Sequence, residues 1–227
     1  GTTLQLAFNK EHRHVGSKFV TGNVLKPEVR TKMAKINIQE AQFVLRNLRH
    51  ENCPTELKYN MARAFVLSKG LFGSGVWPAL KETEYRLVHC KIMKVFRSFT
   101  RDWTKDTGHD DETVLALYGL PSPAQMVSTE RLTLLCRVVA NGTTQLKLAL
   151  SAAFTRKVTS GNSCRSWLYA ALSELSNLAN IHKPLHQFRN IPFPQICQII
   201  EKNPKATSRL IRKTLLFDGG DPYFVLD

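Results

Sequence analysis

The chain has 227 residues, 43% of them hydrophobic, which is enough for one large or two small domains with a buried core. Its 32 Lys and Arg against 18 Asp and Glu give a formal net charge of +14, a balance that favours polyanionic partners, since each neutralised phosphate releases condensed counterions. The longest apolar runs, such as Leu146 to Phe154, are broken by Lys147 or small polar residues and are too short to cross a bilayer, which argues against a membrane partner. The charge is uneven: residues 1–108 hold 19 Lys and Arg against 9 Asp and Glu, and residues 109–227 hold 13 against 9.

The chain opens on Gly1, and Leu4-Gln5-Leu6-Ala7-Phe8 is too short for a secretory signal, so the expectation is a piece of a longer polypeptide. Leu4 to Phe19 alternates imperfectly around Arg13-His14-Val15-Gly16-Ser17, which predicts one or two short strands. Thr21-Gly22-Asn23 reads as a turn. Pro27 suits the first turn of a helix, and Val29, Met33, Ile36, Ala41, Val44, Leu45 and Leu48 recur at helical spacing to about Arg49. Lys32, Lys35, Gln39, Gln42, Arg46 and Arg49 take the polar angles of that helix. Asn52-Cys53-Pro54-Thr55 breaks it, and a second helix follows with Leu57, Met61, Ala64, Phe65, Ser68 and Leu71 as its inner stripe. Gly73 and Gly75 end that helix in a tight connection through Trp77-Pro78.

A third helix from about Glu82 carries Tyr85, Val88, Ile92, Val95, Phe96 and Phe99 inward, and Arg86, Lys91, Lys94, Arg97 and Arg101 outward. Three such helices bury their stripes as a small bundle. The polar stretch from Trp103 to Asp111 marks a boundary, after which Glu112–Tyr118, Pro123–Ala140, Thr144–Phe154, Cys164–Ile181, Pro194–Glu201 and Lys205–Phe217 read as helices. Asp218 to Pro222 reads as a loop. The predicted class is mainly α: a short N-terminal β segment, a three-helix bundle and further helices.

No local pattern carries catalysis. Asp110-Asp111 invites comparison with a metal-binding pair, but it runs into Glu112-Thr113-Val114-Leu115 as a helix N-terminus does, and it reads as a cap. His182 and His186 are four apart, yet Pro184 interrupts the helix that would align them on one metal. Cys53, Cys90, Cys136, Cys164 and Cys197 have no CxxC spacing, so neither a zinc knuckle nor a redox dithiol is predicted, and reduced thiols in an intracellular protein are. Gly73-Ser74-Gly75 lacks the following Lys-Ser/Thr of a phosphate loop. Trp77, Trp103, Trp167, Phe96 and Phe99 fall on inner faces and are expected in the core. The basic helix faces remain, and such faces track a phosphate backbone without reading bases.

The order of these segments resembles the region that follows the catalytic motifs in non-LTR retrotransposon reverse transcriptases. Arg13-His14-Val15-Gly16 resembles the family's "KYLG"-type turn, and Leu71-Phe72-Gly73-Ser74-Gly75-Val76-Trp77 its "LlYGaeeW"-like segment. Tyr85 to Arg97 is similar to its "l..le.fq.r.lR.i" helix, and Leu117 to Pro121 with Glu130-Arg131-Leu132 to its "lg.p.....l...RL" segment. The likeness covers about residues 12–140. It implies that residues 1–25 end a palm, 26–101 form a helical thumb that holds a template–primer hybrid of RNA and DNA, and 110–227 follow the thumb.

The departures from the family carry their own implications. The family's metal-binding aspartates lie upstream of the turn, so the resemblance implies no catalytic residue, no metal site and no cofactor in this chain. Magnesium would belong to the missing palm. Arg-His-Val replaces Lys-Tyr-Leu, Gly73-Ser74-Gly75 replaces the Tyr-Gly core, and the zinc motif and endonuclease found downstream in some members are missing. The expected contacts to the phosphate backbone are Arg13, His14, Lys32, Lys35, Arg46, Arg49, Lys91 and Lys94, with a nuclear location and no small-molecule substrate. The rival expectations are a non-enzymatic basic helical protein that binds an acidic partner, and a hydrolase whose site assembles only in space.

Overall fold

The computed structural model describes residues 11–14, 17–20, 25–39, 46, 52–102, 104–160 and 166–217. Among these the chain is mainly α. Near its start β1 (Glu11–His14) pairs antiparallel with β2 (Ser17–Val20), with Arg13 opposite Lys18. Residues 21–23, 40–45 and 47–49, together with Trp103, Cys164 and residues 218–222, lie outside the described residues.

Helix α1 (Lys26–Ala34) has Pro27 in its first turn, where the missing N–H costs nothing. It is shorter than the helix expected to run on to Arg49. Lys35 caps it, and residues 36–39 leave the helical path. The cause is local: the Asn37 side-chain oxygen accepts from the Gln39 N–H at 3.0 Å, offering the backbone a turn in place of the helix.

Helix α2 occupies residues 55–71, as an α-helical start (Thr55–Ala62), a π-helical turn (Arg63–Leu67) and a last α-turn (Ser68–Leu71). Its expected inner stripe holds only at Leu71, which is buried, and at Met61, which packs half-buried on the first core. Leu57, Ala64, Phe65 and Ser68 are exposed, while Tyr59, Ala62, Val66, Leu67 and Leu71 are buried. Both sets recur at helical spacing, so periodicity could not separate them. Tyr59 meets Phe96 edge-on with ring centroids 6.2 Å apart, and the π-turn shifts the residues after it, which together select the second set.

Gly73, at φ 77°, turns the chain into the 3₁₀ segment Ser74–Val76 and on to Trp77, which is buried. Gly75 packs on the backbone of a later helix: a Cβ there would lie 2.8 Å from the Glu130 carbonyl oxygen and 3.3 Å from the Leu134 Cβ. Gly75→Ala is therefore expected to cost about 1–3 kcal/mol, because helix backbone cannot yield as a side-chain tip can. Thermal unfolding checks this, and an unchanged midpoint would show that the turn relaxes freely.

Helix α3 (Glu82–Thr100) buries Val88, Ile92, Val95, Phe96 and Phe99 as its periodicity predicts. A short α4 (Thr104–Thr107) and α5 (Asp111–Tyr118) follow, the latter capped by Asp110, whose side chain accepts from the Thr113 N–H at 2.7 Å. Helix α6 (Pro123–Asn141) starts in a capping box: the Gln125 N–H donates to Ser122 Oγ at 3.1 Å, and the Ser122 N–H donates to Gln125 Oε1 at 2.6 Å. Then come α7 (Thr144–Ser160), α8 (Trp167–Ile181), a 3₁₀ segment (Lys183–Phe188), α9 (Phe193–Lys202) and α10 (Pro204–Phe217).

Two apolar cores result. The first joins α1, α2 and α3 with Val114, Leu120, Met126 and Val127. The second joins Leu132, Leu135, Cys136 and Val139 of α6 to α8, α9 and α10. The first core thus extends past residue 111, and the changeover falls inside α6, between Val127 and Leu132. Among the described residues no helix is long and apolar enough to cross a membrane.

Candidate nucleic-acid interface

The inward stripe of α3 is locked in the first core, so its opposite face is held rigidly toward solvent. On that face Arg86, Lys91 and Lys94 line a concavity of about 300 Å³ with Thr83, Leu87 and Cys90. Arg86 and Lys94 are exposed and Lys91 is half-buried. Among the described residues no carboxylate lines it. Three cations on one rigid helix, with aliphatic stems between them, suit a run of phosphates better than a single small anion.

The structure brings together only part of the expected set. Lys91 and Lys94 share the α3 face. Lys35 is half-buried and lies elsewhere, lining a shallow depression of about 580 Å³ with Ser68, Lys69 and Phe72. Arg46 is exposed. Arg13 and His14 belong to β1, and their side chains, like all of Arg49, lie outside the described residues.

Lys32 does not reach solvent. Its side chain is 0% exposed, its ammonium is 3.8 Å from Glu28 Oε1, and it stands 5.1 Å from the centroid of the Phe72 ring. Its polar angle on α1 is covered because the last turn of α2 packs against α1 and the Phe72 ring stands beside the ammonium. No sequence period reveals that.

Arg97, expected on the basic face of α3, is also buried, at 5% exposure. It donates through Nε and Nη2 to Asp111 Oδ1 (3.0 and 2.6 Å), through Nη1 to the Asp102 carbonyl (2.7 Å) and through Nη2 to the His109 carbonyl (3.1 Å). His89 Nε2 lies 2.8 Å from Asp111 Oδ2, and His109 Nδ1 lies 2.9 Å from Asp102 Oδ2. For both aspartates burial pushes the carboxyl up. Hydrogen bonds outweigh it, from Thr107 and His109 on Asp102 and from Arg97 and His89 on Asp111, and both end below their ordinary 3.8. Asp110 and Asp111 therefore act as a helix cap and an arginine anchor. Among the described residues no group of three or more His, Cys, Asp or Glu is placed to hold a metal ion.

Another groove, about 520 Å³, lies between α2, the Gly73–Val76 turn and α6. Phe72, Val76 and Leu134 give it apolar walls, and Arg63, Glu130 and Arg137 also line it. Arg63 Nη2 donates to Glu130 Oε1 at 2.9 Å. Helical periodicity hides this groove, because it assigns the exposed side of α2 to the core. The only signal for it in the sequence is Leu71-Phe72 directly before a glycine, which leaves the second residue outside the helix.

Behind the groove, Arg131 joins the two cores. It is fully buried and donates through Nε to the Trp77 carbonyl (2.9 Å), through Nη2 to the Pro78 carbonyl (3.0 Å) and through Nη1 to Glu174. Trp167 Nε1 donates to the Gly75 carbonyl, so α8 grips the same turn. Comparison of the chain with protein-family models, with curated proteins and with solved structures returned no match.

Proposed function

We propose that this chain is a non-catalytic nucleic-acid-binding unit, the thumb and the region after it of a non-LTR retrotransposon reverse transcriptase, which grips the backbone of a template–primer hybrid. The observation that carries the reading is the α3 face, where Arg86, Lys91 and Lys94 stand together on a helix whose other side is core. Two segments of the resemblance also meet in space: Arg131 of the Glu130-Arg131-Leu132 segment holds the carbonyl of Trp77, which closes the Leu71 to Trp77 segment. Polymerisation itself would belong to aspartates in another part of the parent protein.

The test is a salt titration of binding to an RNA–DNA hybrid, measured by fluorescence anisotropy. Affinity should fall linearly on a log–log plot, and Lys91→Ala with Lys94→Ala should flatten the slope by about 0.9 for each phosphate no longer neutralised. Binding that is absent at low salt, or indifferent to salt, sinks the reading.

A second reading is a helical interaction protein with an acidic partner. It is favoured by the exposure of Phe65 (57%), Phe72 (65%) and Val76 (57%), an apolar surface that a backbone grip does not need. Equal affinity for heparin, acidic peptides and the hybrid would support it over the first.

A further inference from the structure

The exposed side of α2 holds a feature that a duplex grip leaves unused. Phe72 closes that helix just before the Gly73 turn and remains 65% exposed, although burial of a phenyl ring is strongly favourable. Its ring forms a ridge between two concavities: the apolar-walled groove that reaches Arg137, and the depression that holds Lys35 and Lys69. The buried ammonium of Lys32, 5.1 Å from the ring centroid, approaches it from the protein side and keeps it standing at the surface. Among the described residues the only carboxylate lining either concavity is Glu130, and Arg63 neutralises it.

We infer that this ridge is a stacking platform for single-stranded nucleic acid. A base lies against Phe72 in the groove, and the phosphates on either side of it meet Arg137 in one direction and Lys35 and Lys69 in the other. The inference rests on the polyanion reading of the α3 face. Cations alone suffice to follow a duplex, whose bases are stacked on one another. A single strand offers open π-faces as well, and the pairing of an upright aromatic with flanking cations answers both of its parts without reading sequence. An acidic peptide would meet the same charges. The nucleic acid is favoured because cations flank one ring on both sides and continue the sign of the α3 face.

The experiment compares the full chain with Phe72→Ala, Phe72→Trp and Phe65→Ala. Each is titrated into a single-stranded oligonucleotide containing 2-aminopurine and, separately, into an RNA–DNA hybrid. Phe65 is exposed but does not line the groove, so its variant controls for loss of surface aromatic area. The wild type should quench 2-aminopurine. Phe72→Ala should weaken single-strand binding about 5- to 150-fold while leaving hybrid binding unchanged, and Phe72→Trp and Phe65→Ala should both behave as wild type. Salt-sensitive hybrid binding with no quenching, or with Phe72→Ala indistinguishable from wild type on the single strand, overturns the platform alone and leaves the groove to a peptide. Failure to bind either nucleic acid overturns the polyanion reading and the platform with it.

Discussion

Arg131→Ala is expected to destabilise the fold by about 3–5 kcal/mol, a large part of the roughly 5–15 kcal/mol that holds a typical domain together. The guanidinium is buried at 0% exposure, and three of its donors are committed to groups from two other parts of the chain. Its removal leaves two turn carbonyls without a donor and Glu174 without its cation. Burial already pushes the Glu174 carboxyl above its ordinary 4.5, with the charge of Arg131 pulling it back. Without that charge the folded state favours the protonated acid still more strongly. A raised folded pKa makes the folded chain bind more protons than the unfolded one, so the penalty of the variant relative to wild type should shrink as pH falls through the raised folded values, above 4.5.

Urea unfolding followed by circular dichroism measures the loss. Arg131→Lys should recover little, because one ammonium cannot span three acceptors set in a fork. Arg131→Met combined with Glu174→Leu should recover the part due to Glu174, since it leaves no buried charge, but not the part due to the two turn carbonyls, which still lack a donor. A cost below about 1 kcal/mol for Arg131→Ala would mean that water reaches the site and that the two cores do not depend on this residue.

The second large effect lies at the end of α3. Arg97→Ala should cost about 3 kcal/mol, since it orphans two carbonyls and takes the charge partner from Asp111. The pH dependence follows from the two aspartates. Both carboxyls sit below 3.8 in the folded chain, so their stabilising contribution is complete above about pH 4, their unfolded range, and is lost as pH falls through the lower folded values. Melting temperature should therefore drop on acidification below about pH 4 in the wild type. It should drop less steeply in Arg97→Ala and in Asp102→Asn, which have less of this stabilisation to lose. Parallel curves for all three proteins would show that the cluster does not set the acid limit.

The helices were legible because their signals are local. Pro27 marks the first turn of α1, the helix read from Pro123 begins there, and Asp110 caps α5. The end of α1 was missed for a local reason as well, since Asn37 turns the chain where the apolar spacing still continues. Most of the α2 stripe was missed because two apolar sets share one period, and they are distinguished by Phe96, more than thirty residues on, together with the π-turn. At the candidate site Lys91 and Lys94 were legible, as charges three apart on a helix whose other face is plainly apolar. Phe72 was not, since Gly73 shows only that it leaves the helix and not that it stays exposed.

By itself, then, the sequence determined the helical class, most helix starts, the inward face of α3 and the surplus of positive charge. Only the tertiary structure decided where that charge is usable. Lys32, Arg97 and Arg131 are cations like the others until α2, α5 and α8 close over them, whereas Arg86 and Lys94 remain exposed and Lys91 half-exposed. Helical period and capping are interactions among residues a few positions apart, so one segment of sequence states them completely. Burial of these charges depends on other elements closing over them: Arg131 finds its acceptors 43 to 54 residues away and the ring beside Lys32 comes from Phe72, so only the folded chain brings the partners together.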